Sequence, residues 1–160
     1  MTSLHRLERL MQLRRHRTRR AEEALASSQR HCQDLDTRHQ TLEASLDRHQ
    51  RASGRREQAL FDDGAQQPMS AEAMAEWQQT LADDAGRRES LLQQRRTLAR
   101  ERRTAEAERG ERAAEWARCR RAEQALDRLR ADRSRALAVD AERLAELEME
   151  EMRPPRGELT

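Results

Sequence analysis

Leu35-Asp-Thr-Arg-His39-Gln-Thr-Leu42-Glu-Ala-Ser-Leu46 decides the fold. Leu35 and Leu42 stand seven residues apart, His39 and Leu46 likewise, and the two pairs interleave. Such spacing averages 3.5 residues and keeps one stripe of a helix against one partner. Working outward, the same frame holds Leu4, Leu7, Met11, Arg14, Thr18, Ala21, Leu25, Ser28 and Cys32 on one side. It holds His49, Ser53, Arg56 and Leu60 on the other. Ten of these seventeen positions are apolar, counting Ala and Cys, and the frame never slips. A second run carries Met74, Trp77, Leu81, Leu91, Leu98, Ala105, Trp116, Cys119, Leu126, Leu137, Leu144 and Leu147 in one frame of its own. Arg88, Arg95, Arg102, Arg109 and Arg112 dilute this second seam, with Glu43 and Asp47 as candidate partners on the first helix.

Between the runs lies Phe61-Asp-Asp-Gly-Ala-Gln-Gln-Pro-Met69, with the chain breakers Gly64 and Pro68. The pattern predicts an all-α fold, a long antiparallel two-helix coiled-coil hairpin, built as one domain over 1–160. Helix one is expected over about 3–60, the turn over 61–69, helix two over about 70–152, and a flexible tail over 153–160. Ser3 and Ser70 are the expected N-caps, with Glu72 well placed in the first turn of helix two. Pro154-Pro155 stop that helix, which outruns its partner. A turn centred near residue 65 sets Cys32 opposite about residue 98, and Trp116 opposite about Arg14. Cys119 then lies roughly 30 Å beyond Cys32's partner position, too far for an intramolecular disulfide.

Composition excludes an ordinary globule. Charged residues make up 39 % of the chain, aromatics 2 %, and mean hydropathy is −1.19. That is too little apolar surface for a three-dimensional core, but enough to line a narrow seam. The abundance of Ala, Leu, Glu, Gln and Arg favours helix over disorder. All 32 basic residues are Arg. Residues 1–20 hold seven Arg and one Glu, whereas residues 138–160 hold seven acids and three Arg. In a hairpin those two segments share an end and form a surface of two signs.

No arrangement in the sequence points to catalysis. His5, His16, His31, His39 and His49 form no metal-ligand pattern, and there is no glycine-rich phosphate loop or GxSxG elbow. A two-helix shaft also offers no enclosed pocket. The chain is therefore expected to be no enzyme and to take no cofactor or metal. It has no signal-peptide core and no run of transmembrane length, and two seam thiols suit a reducing compartment, so a cytoplasmic location is expected.

Two surfaces stand out as partner sites. Arg14, Arg15, Arg19 and Arg20 lie in the basic first helix. Leu60, Phe61, Met74, Trp77 and Leu81, with Met69 beside them, gather more apolar area at the hairpin tip than a turn needs. The basic run is also compatible with an Arg-rich regulatory coiled coil that binds nucleic acid, although no aromatics interleave for stacking.

The tip residues carry a resemblance. Arg56-Glu57-Gln-Ala-Leu60-Phe61-Asp62, a short loop, Glu76-Trp77-Gln78-Gln-Thr-Leu81-Ala82 and Arg88-Glu89 resemble the type III secretion stalk proteins of the YscO group. These are virulence-system counterparts of the flagellar export protein FliJ. Leu4-His5-Arg6-Leu7 and Ala21-Glu22 are similar to the same group. The resemblance implies a hairpin like the central shaft of a rotary ATPase. It implies a terminal end on the hexameric secretion ATPase and a further contact with the cytoplasmic ring of the export gate. In some members it also implies binding of chaperones of translocator proteins. A cytoplasmic protein peripheral to the secretion apparatus is then expected, with export through that apparatus left open.

Overall fold

The structure is a computed structural model that describes residues 2–157. Two helices make up almost all of it: α1, Thr2–Gln66, of 65 residues, and α2, Ala71–Glu151, of 81. Among the described residues there is no strand. The chain folds as an all-α antiparallel two-helix hairpin. Its packing falls into two compact units, one of residues 24–112 and one of the segments before 24 and after 112.

The unit of residues 24–112 contains the hairpin turn and the main apolar cluster. Leu35, Leu42, Leu91, Leu98 and Ala105 are buried together, with Cys32 and Leu46 packed on them. Every one of these is a position of the predicted seam. Across the seam Arg102 Nη2 sits 2.8 Å from Asp36 Oδ1, and Arg95 Nε sits 2.8 Å from Glu43 Oε1. As one partner's number rises the other's falls, which is the signature of antiparallel helices. The arginine stems cover apolar neighbours while their heads reach carboxylates at the rim. Asp47, also expected to serve this zone, pairs with Arg51 on its own helix.

The turn is shorter than the sequence suggests. α1 does not stop near Leu60 but continues to Gln66. Gln58 Nε2 donates to Asp62 Oδ1 at 3.1 Å, Ala65 and Gln66 are good helix formers, and Gly64 keeps a negative φ. Pro68 ends the helix, because the residue before a proline is excluded from helical geometry. Ser70 then caps α2: the amide of Ala73 donates to Ser70 Oγ at 3.1 Å, and that of Met74 to Ser70 O at 3.0 Å. Lengthening α1 moves the apex from about residue 65 to about residue 68, and each residue of shift moves the pairing by two. The pairing is therefore displaced by about one heptad. Cys32 lies beside Arg103 and Glu106, not residue 98.

In the other unit, Met11, Thr18 and Ala21 form the buried face of α1. Thr18 Oγ1 lies 3.0 Å from Arg14 O and 3.3 Å from Cys119 O, and shares its one proton between them. Cys119, not Trp116, is thus the α2 residue beside Arg14. Glu8 and Arg130 approach to 3.8 Å. Ser3 is not an N-cap, since α1 already includes Thr2; its Oγ accepts from Arg133 Nη2 at 3.3 Å.

Among the described residues, no helix lies beside α2 beyond Arg135. Leu137, Leu144 and Leu147 keep the seam spacing but are 48 %, 61 % and 56 % exposed, since the described part of α1 does not reach them. Helical geometry ends at Glu151, just ahead of Pro154 and Pro155. The tail expected over 153–160 lies partly outside the described residues, and 154–157 carry no regular structure.

Candidate functional site

The tip gathers four of the five residues expected there. Leu60, Phe61, Met74 and Trp77 line one open hollow of about 410 Å³, together with Gly64, Ala65 and Met69. Leu81 is half-buried and lies outside it. Gly64 and Ala65 escape a sequence reading that ends the helix at Leu60. Once α1 runs to Gln66 they fall one turn beyond Leu60 and Phe61, on the same face. Gly64 also packs closely, since a Cβ there would come within 3.3 Å of the Met69 terminal methyl, which would have to give slightly. Phe61 is 73 % exposed, whereas Trp77 is half-buried, with its Nε1 shielded and without a hydrogen-bond partner. The two rings therefore differ in role: Phe61 presents bare apolar surface, and Trp77 forms the floor.

The four arginines of the other candidate surface do not form one patch. Successive helical residues turn by about 100°, so Arg14, Arg15, Arg19 and Arg20 spread around α1. Arg14 is half-buried beside Cys119 on the seam. Arg15 Nη2 lies 3.8 Å from Asp127 Oδ1, and both side chains are half exposed. Arg19 and Arg20 are exposed. Arg15 is partly committed within the chain, which leaves Arg19 and Arg20 as the freest of the set.

Electrostatics elsewhere follow from paired side chains. Asp84 is held below the usual carboxylate range, chiefly by its hydrogen bonds from Arg56. Glu106 is lowered in the same way by Arg109. Burial, then Glu115, push the Cys119 thiol up, so it stays protonated. Both cysteines are free thiols. Among the described residues, no group of three or more His, Cys, Asp or Glu is placed to hold a metal ion. No described helix is long and apolar enough to cross a membrane.

The described residues form a hairpin of two helices with its polar side chains displayed on the outside. Residues 7–154 match the family model of the type III secretion protein YscO, and the chain belongs to that family. The fold is similar to the crystal structure of type III secretion protein YscO from Vibrio parahaemolyticus. The TM-score is 0.77 at 18 % identity, over 95 % of this chain and 96 % of that one. No curated protein sequence matches the chain. Family membership gives it a role in type III secretion.

Proposed function

We propose that this chain is a stalk adaptor linking the hexameric secretion ATPase to the export gate. The observation that carries the reading is the tip hollow, which a largely bare Phe61 and Trp77 both line at the end of a hairpin. Exposed aromatic surface of this kind is typical of a binding hot spot. The unit formed by the terminal segments supports a second contact of another kind, through Arg14, Arg15, Arg19 and Arg20. A shaft gripped by a ring biases the states of its subunits without supplying chemistry. The chain therefore raises the turnover of its cognate ATPase while hydrolysing nothing itself.

The test is charge reversal at Arg14, Arg15, Arg19 and Arg20 together. Stimulation of the ATPase should fall while helicity is retained, because the cross-helix ion pair of Arg15 with Asp127 is long and solvent-exposed. Full ATPase binding and stimulation by the quadruple variant would overturn the assignment of this end. Tight, salt-sensitive retention on duplex DNA with no effect on the ATPase would favour the nucleic-acid reading instead.

A further inference from the structure

The seam of α2 continues after its partner has ended. Over residues 136–151 the heptad frame runs on through Leu137, Asp140, Leu144, Leu147 and Glu151, all exposed. α1 carries a matching stripe on a face that its own seam does not use. Arg6, Leu10, Leu13 and Arg17 follow one another at steps of four, three and four. Leu10 and Leu13 are each 45 % exposed, and Arg6 and Arg17 are exposed. Asp140, Leu144, Leu147 and Glu151 repeat those steps.

Laid side by side in parallel, the two stripes match at a single offset. Arg6 meets Asp140, Leu10 meets Leu144, Leu13 meets Leu147, and Arg17 meets Glu151. Two leucine layers are bounded at each end by a layer of opposite charges, which is how parallel coiled coils choose partner and register. The shift of one residue that would break the leucine layers also breaks both ion pairs. One layer further out Leu137 falls against Ser3, and the match ends. None of Arg6, Arg17, Asp140 and Glu151 makes an ion pair among the described residues.

The two stripes cannot meet within one chain. α2 is continuous to Glu151, so residues 136–151 point onward past the start of α1 and cannot turn back along it. We infer that the occupant is a second copy of this chain, docked through a twofold axis. Each copy lays residues 136–151 along residues 3–17 of the other. The symmetry is isologous, so both docking contacts form at once. Residues 136–151 and 3–17 both span a little over 20 Å of helix, so the lengths agree. The assembly uses a face of α1 distinct from the seam and does not depend on the stalk reading.

Analytical ultracentrifugation of the full chain over a wide concentration range tests this. The expected result is a reversible monomer–dimer equilibrium. Leu144→Asp should weaken it more than about tenfold without loss of helicity, since Leu144 is already exposed in the monomer. Arg17→Glu should weaken it as well, and Arg17→Glu combined with Glu151→Arg should restore it. A monomer at every concentration overturns the inference. So does a dimer indifferent to Leu144→Asp, or a charge swap that fails to rescue. A chain monomeric alone whose Leu144→Asp variant loses ATPase binding would assign the stripe to a different partner, and also overturns it.

Discussion

Arg56 and Asp84 form a two-pronged ion pair inside the apolar frame. Arg56 Nε donates to Asp84 Oδ2 at 2.9 Å and Nη2 to Oδ1 at 2.5 Å. His49 Nε2 lies 3.0 Å from the backbone oxygen of the same Asp84. Both Arg56 and Asp84 occupy heptad positions that elsewhere hold leucine, and Asp84 is only 16 % exposed at its side chain. A forked pair of this kind fixes register where apolar layers alone would slide.

The pair should make stability depend on acid. The Asp84 carboxyl is lowered when folded, chiefly by hydrogen bonds from Arg56. Its contribution is therefore complete above the unfolded value of about 4 and is lost as pH falls through the folded value. Wild type should melt above Asp84→Asn at neutral pH, and the gap should close on acidification. Thermal melts of the two proteins between neutral and strongly acid pH read the difference. A gap independent of pH would mean that the carboxylate charge does not matter.

Leu35 should be the most costly single truncation. It is 1 % exposed and sits in the apolar cluster with Leu42, Leu91, Leu98 and Ala105, so Leu35→Ala should destabilise by about 2–3 kcal/mol. Leu144→Ala, on the uncovered part of α2, should cost less than about 0.5 kcal/mol in the monomer. Urea unfolding at low protein concentration compares them.

Three glycines should be replaceable with gain. Gly54, Gly86 and Gly110 lie within helices, have no positive φ, and have open space where a Cβ would go. Each change to Ala should add about 0.5–1 kcal/mol. Gly64→Ala gains the same propensity but presses on Met69, so its benefit should be smaller. Equal gains at all four sites would show that the Met69 methyl moves aside freely.

Phe61 separates tip binding from tip structure more cleanly than Trp77 does. Phe61→Ala should leave the melting temperature almost unchanged, since the ring is 73 % exposed. If the tip docks on the gate, that variant should lose gate binding, by about 2 kcal/mol or more for a hot spot, and keep ATPase stimulation. Trp77→Ala removes the floor of the hollow and should lower the melting temperature as well. Gate binding untouched by Phe61→Ala would remove the hollow from consideration as a docking site.

Much of the molecule is legible before folding because a heptad is a local property. Every buried residue, from Met11 to Ala105, stands at a position the frame assigns to the seam. The family could be read from Leu60-Phe61 and Trp77-Gln78 for a similar reason, since the turn keeps them close in sequence. Five residues of the tip hollow were legible, Leu60, Phe61, Met69, Met74 and Trp77, whereas Gly64 and Ala65 were hidden, because their place on the same face depends on where α1 stops. How Arg14, Arg15, Arg19 and Arg20 spread around α1 is not visible from their adjacency in sequence, since successive helical residues turn by about 100°.

Sequence by itself determined that there would be two helices, which stripe each would bury, and where Ser70 would start and Pro154-Pro155 stop the second. Those are decided by neighbours within a few residues, through propensity, capping and spacing. Only the tertiary structure decided which layer opposes which. Opposition depends on the apex, where a few marginal residues between Leu60 and Pro68 choose between coil and helix. The outcome moves every cross-helix pair by about a heptad: Asp36 to Arg102, Glu43 to Arg95, Thr18 to Cys119. It also leaves the last turns of α2 without a partner, because the two helices are unequal and the turn sets where the shorter one runs out.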